Sequence, residues 1–350
     1  MSLLKLKSAA PKLDTLTPSA AMPGGVVEVR GQMLGPEEHG MPVAHIGDVP
    51  AALLMSRPDR LMLQVPQGAV TGEVRVERGS WHGHNSEMHS NGLTLHVAVP
   101  LAENLHPITN PAIDAAGNIY ATFSGSRGEA VPVSIFRIGA DYQMRPFIRE
   151  LMNASGLALD SEGYLYATSR AEGAVYRISE SGAMSTYAQG MGVATGMAFD
   201  PAGNLFVGDR SGTIFKISRD QQIFVYATLE PSVSAYHLAF GDDGTLYVTG
   251  PTPSGFDSVY AIDVHGTATT FYRGLVRPQG LAFDIAGNLY VAASLRGQRG
   301  IVCITPQREA SLVVAGSGLV GLAFADDGMV LATSDSLYHL ALPIAGRKLV

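Results

Sequence analysis

Residues 279–294, QGLAFDIAGNLYVAAS, decide how this chain is read. Apolar residues alternate on either side of a glycine-containing turn, and a period of two belongs to β-strands, not to helices. The same phrase occurs six times: residues 110–124 (NPAIDAAGNIYATFS), 155–170 (SGLALDSEGYLYATSR), 195–210 (TGMAFDPAGNLFVGDR), 236–251 (YHLAFGDDGTLYVTGP), 279–294 and 320–335 (VGLAFADDGMVLATSD). Their turn glycines, Gly117, Gly163, Gly203, Gly244, Gly287 and Gly328, are spaced by 46, 40, 41, 43 and 41 residues. Such a period marks a solenoid or propeller array. A third alternating segment (174–178, 213–217, 258–262) and a fourth, more outward one (223–227) follow in turn. Four antiparallel strands per ~40 residues, repeated radially, are the arithmetic of a propeller blade, so six copies predict six blades. The last copy offers only three strands, ending at 337–341. The missing outer strand is expected from residues 93–101, with 3–7 as the alternative, because closure removes exposed strand edges.

The phrase P-x-G-[LM]-A-[FL]-D-x-x-G-N-[LI]-[YF]-V, nearly complete in residues 278–291 and 196–207, resembles the NHL repeat and the related gluconolactonase-like and regucalcin-like propellers. The resemblance implies a six-bladed β-propeller but says little about activity.

Residues 11–97 lack the repeat. They read instead as short strands punctuated by Gly and Pro, at 26–30, 43–46, 51–55, 61–65, 73–77 and 93–97, a pattern that suits a small β-sandwich. The landmarks Leu16-Thr17-Pro18, Gly24-Gly25, residues 27–31 (VEVRG), Ile46-Gly47-Asp48, Val65-Pro66 and residues 72–76 (GEVRV) resemble an IPT/TIG immunoglobulin-like domain, which implies a spacer, adhesion or dimerisation role. The expected organisation is all-β: a short extension (1–10), an immunoglobulin-like β-sandwich (11–97) and a six-bladed propeller (98–350).

Composition narrows the function. The 350 residues carry 24 Lys and Arg against 31 Asp and Glu, a net charge of -7, which argues against nucleic acid as the partner. That charge splits as -1 over residues 1–100 and -6 over the remainder. A 46% apolar content excludes a disordered chain. No segment approaches the ~20 apolar residues of a membrane span, and residues 1–7 do not read as a secretory signal. A cytoplasmic protein is the expectation, or an exported one if a leader has been trimmed. The single cysteine, Cys303, permits no intrachain disulfide and reads as a core residue.

Two sets of loops, those entering each inner strand and those joining the second strand to the third, are expected on one face around the central channel. The column expected to line this mouth is Thr109, Ser155, Thr195, Tyr236, Gln279 and Val320. In gluconolactonase-like propellers, the resemblance implies, E-G-P, N-G and P-D-G phrases at these places hold a divalent metal. Here they read Thr109-Asn110-Pro111, Thr195-Gly196 or Tyr236-His237, and Pro278-Gln279-Gly280, so the carboxylates a hard cation such as calcium needs are missing.

Loops assigned to the same face carry Arg127, Arg170, Arg210, Arg277, Arg296 and Arg299. A guanidinium fork grips carboxylate or phosphate. His237 stands where most copies have Gly; it is a weak candidate for general acid–base chemistry and a better one for orienting a ligand. The cluster His82, His84, Glu87 and His89 is a weak candidate for a transition-metal site. No nucleotide-binding, zinc-protease or serine-hydrolase fingerprint is present. The expectation is therefore a non-catalytic binding protein without a cofactor, its mouth taking a small anionic or polar ligand or a protein segment. The alternative is a lactone or ester hydrolase with an atypical metal site.

Overall fold

The computed structural model describes residues 10–36, 41–78, 88–126, 129–255 and 257–347, and the described residues form strands, turns and loops with no helix. The chain divides into two compact units, Met1–Val99 with Val313–Ser317, and Pro100–Leu312 with Gly318–Val350.

The first unit is built on antiparallel strands. Val26–Gln32 pairs with Lys12–Thr17 and with Arg60–Gln64; Gly72–Arg78 pairs with Val43–Ile46 and with Leu93–Val97. Val49–Arg57 joins the two sets, pairing with Val43–Ile46 through Val49 to Ala51 and with Arg60–Gln64 from Ala52 onward. Alternate residues Val27 and Val29, Leu61 and Leu63, Val74 and Val76, and Leu95 and Val97 are buried, as a period of two dictates for a sheet with one face on a core.

The second unit is propeller-like. It contains five separate four-stranded sheets, which hold the copies beginning at residues 110, 155, 195, 236 and 320. Six blades were expected; five form as separate four-stranded sheets. The strands of the remaining copy, among them Leu281–Phe283, Leu289–Leu295 and Gln298–Ile304, belong to a 14-stranded sheet. The cause is its last strand, Ala310–Ala315, which does not end as a free edge: Ala315 falls in the first unit and pairs in parallel with Ala21. Closure also differs in detail from the sequence reading. The outer strand beside Leu337–Ala341 is Val99–Ala102, two residues from the end of Leu93–Val97, which is already committed to Gly72–Arg78. The alternative, residues 3–7, lies outside the described residues.

The repeated phrase owes each of its letters to a local job. Its Asp accepts backbone N–H bonds across the turn: Asp114 from Ala116 and Asn118, Asp160 from Glu162 and Tyr164, Asp284 from Ala286 and Asn288. The turn Gly takes a left-handed φ, +81° at Gly117, Gly203 and Gly287, which costs a side-chain-bearing residue strain. The Asn then donates back to the same carboxylate, at 2.7 Å from Asn118 and 2.8 Å from Asn204 and Asn288. The aromatic residues tie neighbouring copies together edge to face. Tyr166 meets Phe199, Phe206 meets Phe240, Tyr247 meets Phe283 and Tyr290 meets Phe324, with centroids 4.9–5.2 Å apart. Each such pair adds about 1 kcal/mol to the area it buries.

Candidate functional site

The residues expected to line the mouth also join the copies to one another; of them, Thr195 lines the arginine pocket and Thr109 the central channel described below. Thr109 Oγ1 donates to the Ser155 carbonyl at 2.9 Å, Ser155 Oγ to the Ala194 carbonyl at 3.3 Å, and Thr168 Oγ1 to the Thr195 carbonyl at 2.7 Å. Thr195 Oγ1 accepts from Tyr236 N at 3.1 Å, Thr249 Oγ1 donates to the Gln279 carbonyl, and Gly280 N donates to the Val320 carbonyl at 3.1 Å. Asn110 completes the circuit, its Nδ2 donating to the Leu281 carbonyl at 2.8 Å and its Oδ1 accepting from Leu322 N at 3.1 Å. All six copies are therefore linked in order and back to the first. Thr109, Ser155 and Thr195 are buried, and so is Tyr236, whose hydroxyl donates to the Glu230 carbonyl.

Glycine in the next column is what allows this approach. A Cβ on Gly156 would stand 2.2 Å from the Thr195 carbonyl oxygen, one on Gly196 2.2 Å from that of Tyr236, and one on Gly280 2.1 Å from Asn110 Oδ1. Asn110 and His237 are the two side chains in that column, the other four copies having Gly156, Gly196, Gly280 and Gly321. Replacing Asn110 by Ala leaves the Leu281 carbonyl and the Leu322 N–H unpaired. Chemical denaturation is expected to show a loss of about 2 kcal/mol, and a loss below a few tenths would mean that water replaces both bonds.

On one side of this ring lies a pocket of about 120 Å³ lined by Ile108, Arg170, Thr195, Arg210, Val233, Ser234 and Ala235. Arg170 and Arg210 occupy equivalent places, ten residues after the turn aspartates Asp160 and Asp200. Arg170 Nη2 donates to Ser124 Oγ at 2.8 Å and Arg210 Nη2 to the Val233 carbonyl at 3.1 Å. The Nε of each is buried and without a partner among the described residues. Burial, and then the charge of Arg210, lower the pKa of Arg170. Of the other four arginines expected here, Arg277 is exposed, its backbone N held by Asp257, Arg296 is exposed in the Leu295–Gln298 hairpin, and Arg299 is exposed just after it, paired with Ser294; Arg127 lies outside the described residues. Of the expected arginines, Arg170 and Arg210 are the two that line this pocket among the described residues. Ser124, overlooked in the sequence, was findable there, since it stands ten residues after Asp114 in the same column as the two arginines.

On the other side lies the central channel, a cavity of about 690 Å³ whose lining includes Leu157, Met197, His237, Leu238, Leu281 and Leu322. Ala345, Gly346 and Arg347 line it as well. They are held by the Ile285 N bond to the Ala345 carbonyl, the Arg347 N bond to the Phe283 carbonyl, and the Arg347–Asp242 ion pair of 2.5 Å. His237 is 2% exposed, and neither ring nitrogen has a partner among the described residues. Burial pushes its pKa down to about 3, so the ring is neutral at ordinary pH.

The donors at the implied metal position do not fit a divalent cation. Asn110 is committed at both ends, Thr109 and Tyr236 donate to carbonyls, and none of these residues is a carboxylate. Among the described residues no group of three or more His, Cys, Asp and Glu could hold a metal ion. Of the histidine cluster, His82, His84 and Glu87 lie outside the described residues, and His89 Nδ1 stands 3.3 Å from Glu77 Oε1.

No protein-family model matches this chain, and no curated protein matches it. Solved structures do resemble it. A candidate gluconolactonase is 17% identical with a TM-score of 0.60, over 72% of this chain and 93% of its own. An auxiliary nutrient binding protein from Bacteroides thetaiotaomicron is 11% identical, TM-score 0.53, over 95% and 98%. Catalytically inactive virginiamycin B lyase from Staphylococcus aureus, solved with quinupristin, is 12% identical, TM-score 0.51, over 97% of both chains. At these identities the likeness establishes the fold, a β-propeller, and leaves function to the site.

Proposed function

We propose that this protein is a binding protein whose channel mouth grips an anionic group, a carboxylate or phosphate, between Arg170 and Arg210. The observation that carries the reading is the pair itself: two guanidiniums line one pocket, each with a buried, unpartnered Nε, and neither forms an ion pair among the described residues. Like charges brought together at the cost of desolvation are an unfavourable arrangement that an anion reverses. In this reading the strands of the copy at 279–294, with Gln298–Ile304 and Ala310–Ala315, serve as a sixth blade, and the first unit serves as an immunoglobulin-like spacer. The hydrolase alternative draws on no geometry, since His237 has no proton-relay partner among the described residues.

Thermal-shift titration with inorganic phosphate and with succinate tests the proposal. The native protein is expected to gain stability in proportion to the logarithm of anion concentration, and the Arg170→Ala, Arg210→Ala double variant to gain none. Equal shifts in both would sink the anion site. Lactone turnover abolished by chelation would replace the binding reading with the hydrolase.

A further inference from the structure

At about 120 Å³ the arginine pocket is smaller than the ~300–1,000 Å³ of a site that encloses a whole small molecule. It has room for one anionic head, and whatever the head is joined to must lie outside. Thr195 has no hydroxyl to spare: its Oγ1 donates to the Gly208 carbonyl at 2.8 Å and accepts from Tyr236 N at 3.1 Å. The two guanidiniums and Ser234 are left to meet the head. A single carboxylate or phosphate matches the pair of positive charges, and the lining holds no third cation among the described residues. A second charged group on the ligand would find no partner there.

The rest of the lining is apolar: Ile108, Val233 and Ala235. Ile108 precedes the copy that begins at residue 110 and Val233 the copy that begins at 236, while Arg170 and Arg210 belong to the two copies between them. Apolar residues therefore flank the guanidiniums in ring order. Val233 is 48% exposed, although its carbonyl accepts from Arg210 Nη2 at 3.1 Å and its N–H donates to the Pro251 carbonyl at 2.9 Å. Its backbone is held and its side chain is left to water. A charged or hydroxylated substituent laid on these side chains would lose hydration without return. An apolar one removes surface that water otherwise wets, which is favourable.

Given the anion site proposed above, on which this rests, we propose that its ligand is a small amphiphile: one carboxylate or phosphate head between Arg170 and Arg210, joined directly to a short apolar stem that lies on Val233 and Ile108.

Isothermal titration calorimetry of the whole protein with inorganic phosphate, glycerol 3-phosphate and phenyl phosphate tests the stem separately from the head. Phenyl phosphate is expected to bind about tenfold tighter than the other two, the effect of covering a few carbon atoms. None of the three is expected to bind the Arg170→Ala, Arg210→Ala double variant. The place of the stem is read in protein labelled with ¹³C-methyl valine, where the Val233 resonances are assigned by their loss in Val233→Ile. The ring current of phenyl phosphate must shift them, and inorganic phosphate must shift them less. If none of the three anions binds the native protein, the arginine reading itself fails. If they bind with equal affinity, or phenyl phosphate binds without moving the Val233 methyls, the amphiphile is overturned while the anion site stands. Tight binding of phenyl phosphate that survives the double substitution overturns it too.

Discussion

A fragment spanning residues 103–350 is expected to melt at least about 10 °C below one spanning 98–350, or to aggregate before it melts. The only difference between them is Val99–Ala102 and the residue before it. That strand covers the edge of Leu337–Ala341, and Ala102 lies in a core with Leu105, Ile119, Ala121, Ile138, Val330, Ala332 and Leu337. Removing it exposes apolar surface and a row of unpaired backbone groups together, the combination that invites pairing with another chain. At roughly 2–4 °C per kcal/mol for a domain of this size, the shift corresponds to about 3–5 kcal/mol. Differential scanning calorimetry with light scattering reads both outcomes. Superimposable transitions would show that the ring closes without this strand.

The second large effect is a pH dependence, and it belongs to His237. Its pKa is about 3 in the folded protein against roughly 6.5 for a free histidine. The unfolded chain therefore binds a proton that the folded chain refuses, and stability falls as pH falls from about 6.5 toward 3. The contribution is at most about 1.4 kcal/mol per pH unit, or roughly 3 kcal/mol between pH 6.5 and 4.5. His237→Phe has no such group, so the difference between the two proteins in urea-unfolding free energy should narrow or invert with acid at up to that slope. Parallel pH profiles would mean that the ring is hydrated and protonates in place.

The turn phrase was legible because its consequences are local. Asp114, Gly117 and Asn118 act within five residues of one another, and the pairing of Tyr or Phe with the Phe of the next copy follows from the spacing of the repeat. The shared position of Arg170 and Arg210 in their copies was legible from the spacing of the repeat. What could not be read were the long-range partners. Thr109, Ser155 and Thr195 stand where a ligand-lining column should be, yet their hydroxyls bond to carbonyls of neighbouring strands, and hydroxyl side chains in a sequence do not announce which acceptor they will meet. Asn110 is bonded to residues 171 and 212 positions away, and no local pattern encodes that. The count of six blades failed similarly, because the separateness of the remaining copy turned on one pair, Ala21 with Ala315.

Those distant bonds also set the order in which the ring can be finished during synthesis. Asn110 leaves the ribosome first, while Leu322 follows 212 positions later and the strand that shelters Val99–Ala102 later still. At about 5–20 residues per second, the interval is on the order of tens of seconds. Throughout it, Val99–Ala102 has no neighbour and the first blade has an open flank. Over that interval the nascent chain is an incomplete ring with a sticky side, and its yield in a cell should depend on chaperone capacity more than the stability of the finished ring would suggest.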